Sequence, residues 1–549
     1  MISFGRGTDS SLQPERLWWR PRLSTEALIA LVCAYFVLVC NGPFWEAVSV
    51  ANGSLRVLLS LGVAVFALHA LVFGLFAVGR FARPLLAVLV VTTSLVHWYM
   101  TRYAVVIDAE MIRNVLHTDM AESRELLSVR MLLHMFLLGV VPAVFVLLTR
   151  PRQRPRGRGF LFRAGFLLAM VLITGAALGA SSQGVFSLIR SDPALRYKIT
   201  PGNFIVSVVN VLKQNSKAAT GPRQVVAADA HRSAESLVRK PRVLVLVIGE
   251  TVRGDHWGLN GYARQTTPNL AARNVVNFPD VSACGTSTEV SLPCMFSELG
   301  RENYDRDAIR NHQSILDVVA REEVQVLWRD NQSGCKDACL GVPFEMMSSA
   351  DAPDLCGDGR CFDEILLTGL AAKINGGKGD QLIVLHQLGN HGPNYFERYP
   401  PQYERWKPVC RTGELSLCSK QEIVNAYDNA ILHTDAVLVE LIDLLEAQSG
   451  HAAAMLYVSD HGESLGEYGL FLHGAPQAIA PKQQLHVPMT LWMSPDFISG
   501  NRIDMACLQT AAKQPASHDD LFSTVLGVFD VQTTAYRKER DLLGSCRTR

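Results

Sequence analysis

Five long apolar runs before residue 181 constrain the fold more than any other feature of the sequence. They lie at Thr25–Pro43, Val57–Ala77, Pro84–Met100, Met131–Leu148 and Ala164–Ala180. Each approaches or reaches the ~20 residues that a helix needs to cross a bilayer. The first run has no small-residue cleavage site after it and four more runs follow, so we interpret it as a span and not as a signal peptide.

The distribution of arginine predicts which way these spans run. The longest cluster, Arg150 to Arg163, separates the fourth run from the fifth, while the loop after the first run has only Arg56. Because cytoplasmic loops carry an excess of Lys and Arg, the N-terminus is predicted to be cytoplasmic. With five spans, the chain beyond residue 181 then lies on the opposite side. The longer connection after the third run, which also carries arginines, fits this pattern less well.

Cysteine placement points to the same side of the membrane. Eight cysteines form close pairs: Cys284/Cys294, Cys335/Cys339, Cys356/Cys361 and Cys410/Cys418. Such pairs are typical of local disulfides in an oxidising compartment. A zinc site at Cys335 and Cys339 is the alternative, but no second close pair has the His or Cys spacing of a zinc knuckle. Whether Cys507 and Cys546 pair stays open.

Three segments follow from these patterns. Residues 1–181 are predicted to form a five-helix membrane domain, and 182–240 to form interfacial helices and a linker. Residues 241–549 alternate buried strands with amphipathic helices, beginning with the β-branched run Arg242–Gly249. This alternation predicts an α/β domain with a mostly parallel sheet. The formal net charge of +1 gives no reason to expect nucleic acid as a partner.

Polar residues follow several of the predicted strands. Glu250 follows the first strand, His391 follows the strand that begins at Gln381, and Asp460 and His461 follow the strand that begins at Ala454. In parallel sheets the functional residues lie at these carboxyl ends. Carboxylate and imidazole groups are metal ligands. Each residue alone could be a hydrogen-bonded loop residue, but two adjacent ligand types after a buried strand favour a metal site.

Two further patterns carry candidate functional residues. Cys284 and Cys294 bracket a turn of small residues. This turn could hold a hydroxyl at the start of a helix, where an anion binds well. Between the third and fourth apolar runs, Asn114, Thr118 and Glu122 would share one face of a helix. A solvated helical face explains that spacing at least as well as a lipid head-group site.

Taken in order, these motifs resemble the lipid A phosphoethanolamine transferases of the colistin-resistance type, within the alkaline-phosphatase/sulfatase superfamily. The resemblance rests on Glu250, Cys-Gly-Thr-Ser-Thr, Gly-Asn-His-Gly-Pro, Ser-Asp-His-Gly-Glu-Ser and His473-Gly474, together with the five apolar runs. It implies a bacterial inner-membrane protein with an alkaline-phosphatase-like catalytic domain in the periplasm. It also implies transfer from phosphatidylethanolamine to a phosphate of lipid A, polymyxin resistance as the consequence, and a monomer.

The resemblance also implies roles for individual residues. Thr288 matches the nucleophile that carries phosphoethanolamine, and metal coordination is one way to activate such a hydroxyl. One Zn²⁺ is expected, with a second possible. The full set comprises the zinc ligands Glu250, Thr288, Asp460 and His461, the phosphate-side or second-zinc histidines His391 and His473, the head-group contacts Asn114, Thr118 and Glu122, and the phosphate contacts Ser333 and Lys336.

Other functions fit the sequence less well. A sulfatase would need Cys or Ser followed by x-Pro-x-Arg, which Thr288-Glu289-Val290 does not offer. A phosphoglycerol transferase is not expected to carry so many close cysteine pairs. A non-enzymatic sensor with a structural zinc would have no use for Thr288. Within the class, a different acceptor (core heptose, Kdo or periplasmic glucan) remains open, as does the choice of lipid A phosphate.

Overall fold

The structure is a computed structural model that describes residues 21–50, 54–118, 120–152, 154–191, 193–215, 222–233, 239–348, 352–357 and 360–548. By their internal contacts the residues form two compact units. The first unit contains residues 1–97, 130–192 and 199–201, and the second contains residues 98–129, 193–198 and 202–549. Parts of the predicted linker, residues 216–221 and 234–238, lie outside the described residues.

The helices of the N-terminal region follow the five predicted apolar runs. They are α1 (Thr25–Val39), α2 (Gly42–Val50), α3 (Leu55–Phe76), α4 (Ala82–Arg102), α5 (Ala109–His117), α6 (Met120–Glu125), α7 (Val129–His134), α8 (Val141–Leu148), α9 (Arg156–Ala180), α10 (Ser182–Ser191) and α11 (Gly202–Asn215). Four helical stretches of the described residues are long and apolar enough to span a membrane: Leu55–Phe76, Gly79–Arg102, Val129–Leu148 and Arg156–Ala180. The pair α1 and α2, bent by 52°, makes a fifth if it is one span.

The second unit is built on an eight-stranded sheet. Its strands are β1 (Arg242–Gly249), β2 (Val275–Ser282), β3 (Gln325–Asp330), β4 (Phe344–Met346), β5 (Gln381–His386), β6 (Ala452–Ser459), β7 (His486–Met493) and β8 (Ala516–Ser517). They lie in the order β8-β2-β7-β6-β1-β5-β3-β4, and only β7 runs antiparallel to its neighbours. The prediction of a mostly parallel sheet is confirmed.

Helices cover both faces of this sheet. They are α12 (Pro268–Ala271), α13 (Thr288–Met295), α14 (Arg306–Asn311), α15 (Ile315–Arg321), α16 (Leu370–Gly376), α17 (Lys420–Glu446), α18 (Lys482–Leu485), α19 (Pro495–Gly500), α20 (Met505–Ala511) and α21 (Asp520–Val528). Every residue of β1 is buried, and its alternate side chains enter two different cores. One core includes α13, α15 and α21, and the other includes α17. This burial on both faces explains why β1 is a continuous apolar run.

Five disulfides join the cysteines of this unit. The four predicted close pairs are bonded as expected, and Cys507 bonds Cys546. The alternative of a zinc site at Cys335 and Cys339 is therefore wrong, since their sulfurs are already joined. The remaining cysteines, Cys33 and Cys40, are buried and free.

Candidate active site

Two strand ends bring the predicted ligands together. Strands β1 and β6 pair in parallel with Gly249 opposite Ser459, so Glu250 and Asp460 leave the sheet side by side. The ligand atoms of Glu250, Asp460 and His461 all lie within 4.8 Å of one another, and these residues are fully buried. Glycine is required beside them because a Cβ on Gly389, where φ is +52°, would lie 2.9 Å from the backbone of Glu250.

The Thr288 hydroxyl points into this cluster. It is 3.1 Å from Oε2 of Glu250, to which it can donate a hydrogen bond, and 3.3 Å from Nε2 of His461. That same Nε2 lies 3.4 Å from Oε1 of Glu250 and 3.4 Å from Oδ2 of Asp460. One imidazole nitrogen thus faces three oxygens from three different parts of the chain.

Hydrogen bonding shows which atoms of the cluster are available to a cation. Nδ1 of His461 lies 2.9 Å from the carbonyl oxygen of Gly462, which can only accept, so Nδ1 carries the ring proton. The lone pair of the neutral ring is then on Nε2, among the oxygens. Oδ2 of Asp460 has no hydrogen-bond partner among the described residues. Oδ2 of Asp460 can therefore act as a ligand without breaking an existing hydrogen bond, whereas Nε2 of His461 would exchange its contact with the Thr288 hydroxyl for the cation.

The charges of the cluster also favour a cation. Burial raises the pKa of Asp460, and the carboxylate of Glu250 raises it further. Burial alone would lower the pKa of His461, but Asp460 and Glu250 outweigh it and raise that pKa. Two buried carboxylates this close need positive charge beside them, which a proton or a metal ion can supply. The donor set of two carboxylates, one imidazole and one hydroxyl fits a metal cofactor.

Local bonds fix the turn that carries Thr288. The N–H of Gly285 donates to Oγ of Ser291 at 2.9 Å, and the hydroxyl of Thr286 donates to the carbonyl of Ala475 at 2.7 Å. Of the four hydroxyls in the turn, two are thus engaged elsewhere. Among the described residues, Thr288 is the one of the four that hydrogen-bonds Glu250.

The two predicted substrate-side histidines adjoin the cluster. The N–H of Gly474 donates to the carbonyl of Thr286 at 2.7 Å, which draws His473 to the turn. The ring centroid of His473 is 4.4 Å from that of His461 and 5.8 Å from that of His391. Burial lowers the pKa of His391 well below its usual value, so this ring is neutral at neutral pH. Arg398 Nε donates to the carbonyl of His391 at 2.6 Å and fixes its backbone.

The predicted phosphate contacts follow the carboxyl end of β3, which is parallel to β5 and β1, at the same edge of the sheet. Nζ of Lys336 donates to Oγ of Ser333 at 2.8 Å, so the two residues form one polar group. The neighbouring Gln332 donates from Nε2 to Oε2 of Glu250 at 3.4 Å. This short path connects the Lys336 ammonium to the carboxylate cluster.

The predicted head-group residues do not share one continuous helix. Helix α5 ends at His117, and Thr118 has an extended backbone that separates α5 from α6. Asn114 reaches the site, since a Cβ on Gly474 would lie 3.6 Å from its Nδ2. The Thr118 hydroxyl donates to the carbonyl of Asn114 at 2.8 Å. Glu122 lies in α6, and its side chain is outside the described residues. The prediction of a single helical face is therefore wrong.

One histidine important for the geometry was missed. His518 accepts from the N–H of Cys284 at 3.0 Å through Nδ1 and donates from Nε2 to the carbonyl of Ser459 at 2.9 Å. It thereby ties the Thr288 turn to the end of β6. Burial lowers the pKa of His518 to about 4, so it stays neutral and keeps both bonds. The stretch Ser517-His518-Asp519-Asp520 is typical of a helix start, and nothing in this local pattern indicates such a role.

A second missed histidine supports Glu250. His386, at the end of β5, bonds Oδ2 of Asp330 through Nδ1 at 2.8 Å, and its Nε2 lies 4.0 Å from Oε2 of Glu250. Burial alone would lower the pKa of His386, but the Asp330 carboxylate outweighs it and raises that pKa. His386 was missed because it lies inside an apolar strand, where a histidine usually reads as core.

The fold and this cluster define a class of enzyme. Residues 242–531 match the family model described as Sulfatase, and residues 65–216 match the one described as Phosphoethanolamine transferase EptA/EptB. The chain is 38% identical to phosphoethanolamine transferase EptA of Escherichia coli (strain K12) over 97% of this chain and 99% of that one. It is 36% identical to phosphatidylethanolamine transferase Mcr-1 of Escherichia coli, over 95% of this chain and 97% of that one.

A solved structure agrees with these matches. The integral membrane lipooligosaccharide phosphoethanolamine transferase A (EptA) from Neisseria meningitidis superposes with a TM-score of 0.92 at 38% identity, over 96% of this chain and all of that one. This chain belongs to the phosphoethanolamine transferase family. It is a multi-pass inner-membrane transferase with a periplasmic alkaline-phosphatase-like domain that acts on lipid A or lipopolysaccharide.

Proposed function

We propose that this enzyme transfers phosphoethanolamine from phosphatidylethanolamine to a phosphate of lipid A through a phosphothreonine at Thr288. The single observation that carries the proposal is the position of the Thr288 hydroxyl, 3.1 Å from Glu250 and 3.3 Å from His461. A threonine hydroxyl is a weak nucleophile unless a base or a metal activates it. A buried hydroxyl among metal-ligand side chains fits that requirement.

The proposed cofactor is Zn²⁺, held by Glu250, Asp460, His461 and the Thr288 oxygen. When bound, zinc supplies Lewis-acid activation of the hydroxyl and offsets charge on the phosphoryl oxygens. A second zinc near His391 and His473 stays part of the proposal. The mixed oxygen and nitrogen donor set supports zinc over calcium or magnesium, which prefer oxygen ligands alone.

The proposed reaction has two steps that balance. In the first, the Thr288 oxygen bonds to phosphorus, the phosphorus–oxygen bond to diacylglycerol breaks, and the threonine proton ends on diacylglycerol. In the second, an oxygen of the lipid A phosphate bonds to phosphorus, the bond to Thr288 breaks, and the proton of that phosphate monoester passes to the Thr288 oxygen. His391 and His473 adjoin this position, and one of them is proposed to carry the transferred proton.

The remaining predicted residues are proposed as binding groups. Ethanolamine presents an ammonium, which needs acceptors, and Asn114 and Thr118 each offer an oxygen that can accept. The Thr118 hydroxyl keeps that capacity because it donates its own proton to Asn114. Glu122 is proposed to add a carboxylate to this group. The ammonium of Lys336 with the Ser333 hydroxyl is proposed to bind a phosphate oxygen.

The proposed outcome is resistance to polymyxins, because an added ammonium offsets the negative phosphate that cationic peptides bind. We propose that a single chain suffices, since all these residues come from one copy. A Kdo acceptor remains the second candidate, because a relative of Salmonella typhimurium at 28% identity is named a Kdo(2)-lipid A phosphoethanolamine 7''-transferase.

Mass spectrometry of lipopolysaccharide tests the acceptor. Cells that express the wild-type chain should carry phosphoethanolamine on lipid A phosphate, whereas cells with Thr288→Ala at equal expression should not. Modification confined to Kdo, core heptose or periplasmic glucan would replace lipid A as the acceptor. No modification of any of them would overturn the proposed function.

A further inference from the structure

A buried carboxylate lies immediately after the proposed nucleophile. The Glu289 side chain is 1% exposed, and its Oε2 lies 2.8 Å from Nδ1 of His117. Its Oε1 lies 2.5 Å from Arg310 and 3.5 Å from Arg306. A buried carboxylate is stable only when paired, so these contacts fix the Glu289 side chain firmly.

The three partners come from two different parts of the chain. Arg306 and Arg310 belong to α14, which packs beside α13 in the same part of the fold. His117 is the last residue of α5 and lies 172 positions away in sequence. The arginines alone could pair Glu289, and His117 is 50% exposed, so the His117 contact is not needed to neutralise a buried charge.

Met111 and Asn114, about two turns and one turn before His117 on the same face of α5, lie against a second segment of the site. A Cβ on Gly474 would lie 3.1 Å from Cε of Met111 and 3.6 Å from Nδ2 of Asn114. Helix α5 therefore contacts the Thr288-Glu289 segment through its last residue and the His473-Gly474 segment through Met111 and Asn114. One short helix bridges the two segments that hold the nucleophile and a substrate-side histidine.

We propose that Glu289 is a positioning residue that anchors α5 across the site through His117. The anchor keeps Asn114 beside His473 at a fixed distance from Thr288, so that a phosphoethanolamine head group bound by α5 presents its phosphorus to Thr288. This inference rests on the proposed function for its consequence, although the anchor itself is a structural contact. It assigns Glu289 no contact with the reacting atoms.

Steady-state kinetics on the full-length enzyme with phosphatidylethanolamine in detergent micelles tests the consequence. His117→Ala, which removes the contact at a half-exposed position, should raise KM about fivefold and leave kcat within about twofold. A change of this size is what the loss of a partly exposed polar pair produces. His117→Gln can still donate to Glu289 and should restore KM. Glu289→Gln should raise KM similarly, and combining it with His117→Ala should add nothing further.

Hydrogen exchange tests the anchor independently of catalysis. His117→Ala should speed amide exchange in 109–117 and leave α17 unchanged. Lys240→Ala is the matched control, because it removes an exposed ion pair with Asp496 in the same unit and should change neither readout.

The possible results separate the two proposals. A wild-type enzyme that forms no Thr288 adduct would overturn the proposed function, while faster exchange in 109–117 would still support the anchor. An active wild type with exchange and KM in His117→Ala equal to those of Lys240→Ala would overturn the anchor. A fall in the kcat of Glu289→Gln at unchanged KM would show that Glu289 acts on Thr288 alone, and would therefore also overturn the anchor.

Discussion

Removing the Cys284–Cys294 disulfide should damage activity far more than stability. The bond closes a loop with a sequence separation of 10. In the chain-entropy treatment such a loop contributes about 2.7 kcal/mol to the free energy of unfolding. Both cysteines are fully buried, so a reductant reaches the bond only when the turn opens. The double variant Cys284→Ala/Cys294→Ala is therefore a cleaner perturbation than added thiol.

The Cys410–Cys418 disulfide supplies a matched control. Its sequence separation is 8, for which the same treatment predicts about 2.5 kcal/mol. The double variants Cys284→Ala/Cys294→Ala and Cys410→Ala/Cys418→Ala should thus lose similar stability. The measurement is the shift of the thermal midpoint, followed by tryptophan fluorescence. They differ in position, because only the first bond closes the turn in which Thr288 lies.

Transfer from phosphatidylethanolamine, measured well below both midpoints, should separate the two variants. A displacement of a reacting group by about 1 Å can cost about 100-fold in rate, so the Cys284/Cys294 variant should be roughly 10- to 100-fold slower than the control. Equal activity in the two variants at equal folded fraction would show that the disulfide does not position Thr288. Ser291, Thr286 and His518 would then hold the turn without it.

Two further predictions concern the metal cluster and the histidine behind it. Chelation should abolish transfer and lower the thermal midpoint, because Glu250 and Asp460 then face each other without a cation. Added zinc should restore both the rate and the midpoint. An unchanged midpoint and rate after chelation would contradict this prediction. For His518, the folded pKa of about 4 lies below the usual 6.5, so the unfolded chain binds the proton first as the pH falls. The contribution of His518 to the free energy of unfolding should therefore be fully present above pH 6.5 and fall by about 3 kcal/mol down to pH 4. His518→Gln should lose this pH-dependent component. An equally steep fall in His518→Gln would assign the loss to other groups.

The sequence predicted the elements whose physical signals are local. The β-branched run of β1 and the other buried strands appeared as predicted, with bounds that moved by only one or two residues. Glu250, Asp460 and His461 were found because they directly follow such strands, and parallel pairing brings strand ends to one edge. The close cysteine pairs were found because neighbours in sequence are near in space.

Contacts between distant segments could not be predicted in this way. His518 binds both Cys284 and Ser459, yet its own neighbourhood reads as an ordinary helix start. The His117–Glu289 pair joins residues 172 positions apart. Helical spacing over residues 114–122 was misleading because α5 ends at His117, and no strong breaker marks that end in the sequence.

Covalent labelling of Thr288 tests the proposed phosphothreonine intermediate. The purified full-length enzyme is incubated with phosphatidylethanolamine without acceptor, digested and analysed by mass spectrometry of the peptide that contains Thr288. We expect phosphoethanolamine on Thr288 in the wild type, loss of that label when lipid A is added, and no label in Thr288→Ala. Transfer to lipid A that continues in Thr288→Ala, or a label that settles on another residue, would contradict it.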